Sequence, residues 1–582
     1  MISKNNFAHR IPILFVVLLF STCANPWPKE SEEEVLVLKN VNLISMESDQ
    51  VIYGQNIVIK NNLIDYVGSL GNLQGLKDSK IIDGQGKYLI PGLCDMHMHI
   101  DHPDILQVNL AYGITTVMNY RGLPEHLILR EKATKNAIFS PNIYTTGDYM
   151  EGYPATVPGF LSFNNADDAR KSVQQQKDKG YDFIKVYRNL DTLMHQAICE
   201  EAAKNNLTVV GHLSPDISLQ QSLNAGQKVI AHTEELMYYF NNENDKSKID
   251  DLIDLLAYYN ISYTPNLSIF RSLPLQVQNL DSINSRKHIK YLQPAIFQSW
   301  REEFNYNHSR GKDWASFMWD RFRFLQEVTK KIKKAGIQIL ASTDAPTSGA
   351  FPGLAVHEEL KEFVEIGLTP YEALKTATTE PGIFIKNNIK DSEDFGLIKE
   401  GYRADLLLLD QNPLENIENT RTILGVIKNG EWYAKDSLDN TLDNLNHIYK
   451  DVTPIVKSIE REIENENIDL AYETFRRGRS EFPDQLFLGY YTMWYAGYRF
   501  LYEKRALTDD PNRAHKAVIF YKMYLDQYPK LHGSHYLLGM AYKAKKDTIS
   551  AIKSFEESLK LHPYNPYAKN QLDNLRINAS SN

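Results

Sequence analysis

The sequence predicts an α/β protein in which a barrel of parallel strands is flanked by a β-sandwich and followed by a helical repeat domain. Three observations lead to this prediction. Strand-like and helix-like segments alternate through residues 90–386, short β-type runs stand on both sides of that region, and the pattern becomes helical and repetitive from residue 455. Alternating strands and helices are typical of a parallel sheet with helical crossovers, and eight such units close into a barrel.

The central region, residues 90–386, favours a closed barrel over an open sheet. Helical stretches such as EVTKKIKKAG lie between its candidate strands, which are ITTVMN, NIYTTG, DFIKVY, LTVVGH, KVIAH, SYTPNL and IQILAST. A doubly wound open sheet would show the same alternation. Polar residues gather at or just past the ends of several candidate strands, where the active sites of TIM barrels are built. We therefore predict a (β/α)8, or TIM, barrel.

The β-type runs on either side of this region predict a second, composite domain. VLVLKNVNLI, NIVIKNNLIDYVG and KIIDGQGKYLI precede the barrel, and FGLIKEGYRADLLLLD and TILGVIKNGEWY follow it. Turn residues separate the runs, as expected for the strands of a small β domain. We predict that residues 35–89 and 387–435 together form one β-sandwich.

The C-terminal part, residues 455–582, has the spacing of tetratricopeptide repeats. Pro529 and Pro563 are separated by one repeat period of about 34 residues. Other positions of the repeat are occupied by Leu538, Gly539, Tyr542, Ala551 and Phe555, and in earlier units by Ala517 and Tyr521 and by Ala471, Phe475 and Pro483. A generic helical bundle is the alternative. We expect a charged, Asn-rich linker at residues 436–454 to separate the repeats from the β domain.

The repeat domain has two possible roles. Such arrays commonly hold a peptide or a partner protein on a concave face, so these repeats would recruit a partner. The aromatic segment TMWYAGYRFLY mildly favours the other role, in which the repeats pack on the barrel and shape its mouth. Because no candidate metal-site residue lies beyond Asp344, we expect the metal chemistry not to depend on this domain.

The N-terminus resembles a bacterial lipoprotein signal. A weakly basic start precedes an apolar run, residues 11–20, that is too short to span a bilayer. Ser21 and Thr22 then precede Cys23, which would become the lipid-modified first residue. An ordinary signal peptide or a retained anchor is the alternative. We expect a signal at residues 1–22, a linker at 23–34, and a location in the cell envelope, on the periplasmic or cell-surface face, with membrane contact only through the lipid.

Composition excludes two classes of protein. The formal net charge is −9 and no cluster of Lys and Arg is present, which argues against nucleic acid as a partner. If Cys23 carries lipid, only Cys94 and Cys199 remain, too few for a disulfide framework. We expect both to be buried free thiols.

The motif PGLCDMHMHID is the sharpest chemical signal. His97 and His99 are two residues apart on a strand, so both imidazoles point to one side. Paired histidines suit a divalent metal such as zinc. Four further polar residues end separate candidate strands, and these are Lys185, His212, His232 and Asp344. Burying a charged lysine on a strand without a partner costs free energy of folding, so a buried Lys185 would need a compensating interaction.

With this set of residues the chain resembles the amidohydrolase superfamily, most closely its prolidase-like and imidazolonepropionase-like branch. The resemblance spans roughly residues 35–435. It extends beyond the candidate ligands to GITTV after the first unit, IAH before the sixth strand, GLTP after Asp344, and GYRADL near residue 401. It implies a distorted TIM barrel with a flanking β-sandwich.

Carried over residue by residue, the resemblance implies a binuclear site. His97, His99 and Asp344 would bind one divalent metal, with zinc the expected ion, and His212 and His232 would bind the other. Lys185, carboxylated on its side-chain nitrogen, would bridge them. A hydroxide bridging the metals would attack an amide-type carbonyl. Asp344 would then carry the proton to the leaving nitrogen.

Two further residues are candidate substrate contacts. Tyr187 lies two residues beyond Lys185, on the same strand face, and His357 begins a helix after Asp344. The segment TTGDYMEGYP departs from the resemblance, because related prolidase-like sequences usually carry a Gly-Gly-His type segment there. A substrate contact at this place is therefore in doubt.

The sequence leaves the substrate open among dipeptides, N-acylated amino acids, lactams and lactones. We expect a small molecule or short peptide and an enzyme that cleaves a C–N bond. A mononuclear deaminase or cyclic-imide hydrolase of the same superfamily is one alternative, since such enzymes do not require Lys185. A surface binding protein with a relic barrel is another, although the intact ligand set argues against it.

Overall fold

The computed structural model describes residues 35–69, 79–156, 161–240, 248–489 and 511–580. The expected signal, Cys23 and linker, and the segment TMWYAGYRFLY, lie outside these residues. The strands are β1 Val35–Leu43, β2 Ile52–Lys60, β3 Leu63–Gly68, β4 Lys80–Asp83, β5 Tyr88–Pro91, β6 Leu93–Met98, β7 Ile114–Asn119, β8 Asn142–Thr145, β9 Glu151–Gly152, β10 Ser162–Phe163, β11 Phe183–Val186, β12 Thr208–Gly211, β13 Val229–Ala231, β14 Ser262–Thr264, β15 Gln338–Ile339, β16 Leu406–Leu409, β17 Ile423–Lys428 and β18 Glu431–Ala434.

Helices follow most strands of the central region and make up the C-terminal part. They are α1 Asp104–Ala111, α2 Pro124–Thr134, α3 Ala166–Lys179, α4 Thr192–Lys204, α5 Leu219–Ala225, α6 Ile249–Tyr258, α7 Leu267–Gln278, α8 Leu280–Asn284, α9 Pro294–Phe297, α10 Lys312–Lys334, α11 Leu354–Glu365, α12 Pro370–Thr376, α13 Thr379–Asn388, α14 Lys435–Glu464, α15 Ile468–Glu481, α16 Pro511–Gln527, α17 His532–Ala544, α18 Thr548–Leu561 and α19 Pro566–Ser580. None of the helices described is long and apolar enough to cross a membrane.

The central region contains two sheets of parallel strands. Their orders are β6-β7-β8 and β11-β12-β13-β14-β15, and every pairing within them is parallel. Parallel bridges link the two sheets at both edges, from Thr146 to Phe183 and from Met98 to Ala345. Because all these strands run in one direction, their carboxyl ends lie at one edge, and the residues that follow them are brought together.

Strands from both sides of the central region meet in a third sheet. Its order is β18-β17-β16-β5-β1-β2-β3, with β4 also paired to β1. The fully buried strand β16, Leu406–Leu409, pairs antiparallel with β5, which leads directly into β6. This sheet therefore joins the two ends of the central region and anchors the first strand of the site.

The C-terminal region is helical, and it begins earlier than the sequence indicated. Residues 436–454 were predicted to be a linker, and this prediction is wrong, because they lie in the 30-residue helix α14. Its buried apolar residues recur every three or four positions, a helical spacing hidden among charged and Asn residues; they are Leu438, Leu442, Leu445, Tyr449, Val452 and Val456. Further on, Gly539 lets α17 approach α18 closely, since an added Cβ would lie 2.6 Å from the ring of Phe555.

Specific polar contacts attach the C-terminal helices to the central region. Tyr449 donates a hydrogen bond to Asp104 at 2.9 Å, and Arg301 pairs with Glu460 at 2.6 Å. Near the pocket, Gln293 donates to the carbonyl of Leu486 at 2.7 Å. Among the described residues, the helices therefore pack against the central region, which is one of the two arrangements that the sequence left open.

Candidate metal centre

All six predicted metal-site residues lie at the carboxyl edge of the central strands. His97 is on β6 and His99 directly follows it, while Lys185 is on β11. His212 and His232 come directly after β12 and β13, and Asp344 lies in the loop after β15. The parallel direction of the strands accounts for this convergence.

The first group of candidate ligands is His97, His99 and Asp344. The Nε2 atom of His99 lies 2.9 Å from Oδ1 of Asp344, and that of His97 lies 3.4 Å from the same oxygen. The backbone N–H of Asp344 donates to the carbonyl of His97 at 2.7 Å, which ties the last loop to the first strand. The set offers two imidazole nitrogens and a carboxylate, ligands that suit zinc.

The second group is His212, His232 and Glu235. Oε1 of Glu235 lies 3.1 Å from Nδ1 of His212, and Oε1 of Glu234 lies 3.3 Å from Nδ1 of His232. A carboxylate at Nδ1 fixes the ring orientation and leaves Nε2 for a metal. On the other side of His232, its Nε2 lies 3.8 Å from Asp344, which brings the two groups next to each other.

Glu234 and Glu235 are the residues that the sequence prediction missed. The signal was present, because both follow His232 directly in HTEE. They begin a 3₁₀ helix, Thr233–Tyr239, whose tight turn brings Glu235 back to within reach of His212. An acidic residue a few positions after a candidate histidine ligand in the sequence is the pattern by which residues that orient a metal ligand can be recognised.

Lys185 is buried beside both groups. Its exposed fraction is 1%, and its Nζ has no hydrogen-bond partner among the residues described. Burial lowers the pKa of Lys185 to about 7, against the opposing charges of Asp344 and Glu235. A neutral amine is the form that can take up carbon dioxide, so the environment of Lys185 fits the carboxylated form.

Burial also sets the protonation of the histidines. It holds the pKa of His97 and of His212 well below the usual value, and the neighbouring His232 and Lys185 add to the effect. Neutral imidazoles are the form that binds metal. Burial opposes ionisation of Asp344, but His232 and His99 outweigh it and lower the pKa of Asp344 to about 2.

Unpaired buried nitrogens show that the residues fit divalent metal ions. Within the described part of the chain, both ring nitrogens of His97 and the Nε2 of His232 lack a hydrogen-bond partner, as does Nζ of Lys185. Buried polar atoms are normally paired, so such a cluster of exceptions indicates a bound group. Nitrogen and carboxylate donors at this spacing suit zinc or a similar transition metal.

The sequence pattern that defines the Amidohydrolase family matches residues 88–433. The chain belongs to the Amidohydrolase family. The match begins at β5, ends at β18, and includes every candidate ligand named above. Residues 434–582, with the C-terminal helices, lie beyond it.

Known amidohydrolases and related structures resemble parts of this chain. Adenine deaminase of Ruegeria sp. (strain TM1040) is 26% identical over 217 residues, which cover 34% of this chain and 34% of the deaminase, so that match spans only a third of the relative's length. Ochratoxinase of Aspergillus niger is 22% identical over 448 residues, 65% of this chain and 82% of the relative. These relatives are consistent with an enzyme that acts on C–N bonds.

Solved structures show the same fold at low identity. A putative prolidase from Bifidobacterium longum aligns with a TM-score of 0.53 and 22% identity, over 71% of this chain and 99% of the other. Bottromycin amidohydrolase aligns with a TM-score of 0.58 and 19% identity, over 71% of this chain and 90% of the other.

The two candidate substrate contacts of this amidohydrolase have different surroundings. Tyr187 lines the pocket in front of the ligands, with its ring 4.4 Å from that of His212 and stacked on Tyr149 at 4.8 Å. His357 lies within α11, where its Nε2 donates to the carbonyl of Tyr112 at 2.9 Å and its Nδ1 lies 2.8 Å from Thr420. Both nitrogens of His357 are thus engaged away from the pocket, so the structure does not bring this residue to the site.

The pocket in front of the ligands has a volume of about 720 Å³. The candidate ligands and Tyr187 line it, and so do residues of the C-terminal helical region, among them Leu486, Tyr524 and Tyr528. We expected the metal chemistry not to depend on this region. All six candidate ligands lie before this region, so that expectation stays a prediction, although part of the pocket's lining lies beyond the family match.

Proposed function

We propose that this chain is a binuclear, metal-dependent hydrolase that cleaves the C–N bond of an amide or peptide. The observation that carries the proposal is Lys185, a buried lysine without a hydrogen-bond partner in the described residues, next to two groups of candidate ligands. A mononuclear site would leave this buried amine with no ligand role, beside the ring of Tyr120, whose centroid lies 4.7 Å from Nζ. A carboxylated Lys185 would offer each metal an oxygen, and the buried side chain would then have binding partners.

His97, His99 and Asp344 would hold one ion, and His212 and His232 the other, with Lys185 as the bridge. When bound, the two ions, for which zinc suits the donor set, would make water nucleophilic at neutral pH and polarise the amide carbonyl. Glu234 and Glu235 would hold His232 and His212 in the orientation that presents Nε2. Tyr187, at the rim of this set, would contact the substrate.

Asp344 would carry the proton of the reaction. The neighbouring imidazoles keep its pKa at about 2, so Asp344 is ionised at neutral pH, and as a carboxylate beside both ligand groups it would take the proton of the attacking water. The proton would pass to the leaving nitrogen, which could otherwise not depart as an amine. Oδ1 of Asp344 faces His97 and His99, whereas Oδ2 faces His232, so one residue reaches both groups.

A deaminase is the second candidate, and the likeness to adenine deaminase favours it. Both reactions break a C–N bond with an activated water. Deamination would release ammonia from a nucleobase, whereas the proposed reaction releases an amine and a carboxylic acid. Product analysis separates the two.

We also infer that the eight parallel central strands close into a distorted TIM barrel and that the C-terminal helices are tetratricopeptide repeats. The bridges at both edges of the two parallel sheets support the barrel. For the repeats, Pro483, Pro529 and Pro563 each stand two residues beyond the end of a helix, respectively α15, α16 and α18. Equivalent prolines at equivalent helix ends are expected of a repeat.

We further propose that Cys23 carries a lipid that anchors the protein in the cell envelope. The proposal rests on the apolar run and the small residues before Cys23. Labelling of expressing bacteria with an alkyne fatty acid tests it. Label should enter the full-length protein and be absent from Cys23→Ala, whereas equal labelling of both would refute the anchor.

The hydrolase proposal is tested by a screen of dipeptides and N-acylated amino acids with zinc-loaded protein. We expect an amine and a carboxylic acid as products, and loss of turnover after chelation. Adenine and related nucleobases belong in the same screen, with ammonia as the readout. Ammonia release without amide cleavage would favour the deaminase.

A further inference from the structure

A set of apolar residues from the C-terminal helical region lines the pocket that holds the candidate metal ligands. We call it the extension wall, and it consists of Leu486, Leu488, Tyr524, Tyr528 and Leu531. All five line the same pocket as His97, Lys185 and Asp344. All five also lie outside residues 88–433, so family membership says nothing of them.

The extension wall is held in place from two sides. Gln527 on α16 accepts hydrogen bonds from the backbone N–H groups of Phe487 and Leu488, at 3.0 and 3.1 Å, and donates to the carbonyl of Leu488 at 2.8 Å. From the central region, Gln293 donates to the carbonyl of Leu486. The segment with both leucines is thus fixed to α16 and to the central region. Because the wall is already ordered, it loses little conformational entropy when a ligand binds.

The five residues of the extension wall are apolar or aromatic, and the polar residues Arg479, Asp484 and Gln485 of the same region also line the pocket. The amide of Gln527 is occupied by backbone groups, and burial raises the pKa of Tyr524 to about 12, so its phenol is neutral. The rings of Tyr524 and Tyr528 pack edge to face at 5.5 Å. Tyr149 and Tyr187 line the same pocket and are stacked on each other, so both the central and the C-terminal regions contribute aromatic rings to it.

We propose that the extension wall is a specificity-determining subsite that receives an aromatic side chain of the substrate. This inference rests on the proposed amide hydrolase and names its substrate class. The candidate ligands supply polar groups to the pocket, and the extension wall supplies apolar surface to it. Its volume of about 720 Å³ is within the range of about 300–1,000 Å³ typical of small-ligand sites, which join apolar walls to a few polar groups. Aromatic rings add edge and stacking contacts to the burial of area.

Tyr528 is the residue with which to test the wall, because it is half-buried and lines the pocket. Zinc-loaded full-length protein is assayed with Ala-Ala, Phe-Ala and Ala-Phe, and the binding of phenylacetate and acetate is measured by calorimetry. We expect wild type to favour one Phe-containing dipeptide over Ala-Ala, and phenylacetate over acetate, by about tenfold or more. Tyr528→Ala should reduce both preferences to about twofold, whereas Tyr528→Phe, which keeps the ring, should retain them.

Leu525→Ala is the matched control, since Leu525 lies on α16, three residues before Tyr528, and packs against the core without lining the pocket. It should retain both preferences. If Tyr528→Ala does not fold, as judged by zinc content and melting temperature, Leu531→Ala replaces it with the same expectation. Absence of a preference in wild type, or an unchanged preference in the wall variants, would overturn the subsite.

The two readouts separate this inference from the proposed reaction. Selective phenylacetate binding that depends on Tyr528, without turnover of any amide, would keep the subsite and refute the hydrolase. Turnover with no aromatic preference would keep the hydrolase and refute the subsite. If neither selective phenylacetate binding nor amide turnover is observed, both the subsite and the hydrolase are refuted.

Discussion

Burial determines the chemistry of single residues at the metal centre. It keeps His97 and His212 neutral and brings the pKa of Lys185 to about 7. Asp344 remains ionised because His232 and His99 outweigh burial. Neutral imidazoles, a reactive amine and a carboxylate are together the forms that a binuclear site requires.

Replacing Lys185 by Ala should remove about one metal ion per chain, since the bridge is lost. Millimolar short-chain carboxylic acids should partly restore the second ion by replacing the carbamate. Elemental analysis after zinc loading measures both effects. Lys428→Met is the matched control, because Lys428 is also buried but donates to the carbonyl of Ala133 and to Asn136, away from the site. An equal loss of metal in the control would show that any buried lysine gives the effect.

Asp344→Asn should lower turnover far more than metal content. The amide oxygen can still bind metal but cannot carry a proton, and general acid–base catalysis contributes roughly 10²–10⁴-fold. The comparison requires kcat and zinc content on the same preparation. A metal-loaded variant with wild-type kcat would exclude Asp344 as the proton carrier.

At the scale of elements, periodic patterns could be predicted from the sequence and long-range pairings could not. The ligands on β6 and β11 and those after β12 and β13 were predictable, because each ends a short apolar strand. The role of Glu235 was not, since it depends on the turn of a 3₁₀ helix. Helix α14 was missed because Asp and Asn residues surround its apolar stripe, and packing against α1, including the bond from Tyr449 to Asp104, stabilises it.

The packing of α14 can be tested with one leucine. Leu445→Ala should lower the free energy of unfolding by about 2–5 kcal/mol, because its side chain is buried and leaves a cavity. Leu470→Ala on α15 is the control, since Leu470 is 47% exposed and its loss should cost about 0.5 kcal/mol or less. Urea denaturation measures both. Equal, small effects would mean that residues 436–454 are a linker after all.

At the scale of the whole molecule, the pocket combines a family site with a wall from outside the family match. The sheet built from both ends anchors β6, the parallel strands gather the ligands, and the C-terminal helices close on the same pocket. The sequence indicated each part separately. It could not indicate that Leu486 and Tyr528 line the same pocket as the ligands, because contacts between distant segments leave no periodic signal in one sequence.

The central claim is that two metal ions in this pocket hydrolyse an amide. It is tested most directly by titrating metal-free, full-length protein with zinc while measuring both bound zinc and amide turnover. We predict that turnover rises with the second ion and reaches its plateau at about two ions per chain. Full turnover at about one ion per chain, or bound zinc without turnover of any amide at any loading, would contradict the account.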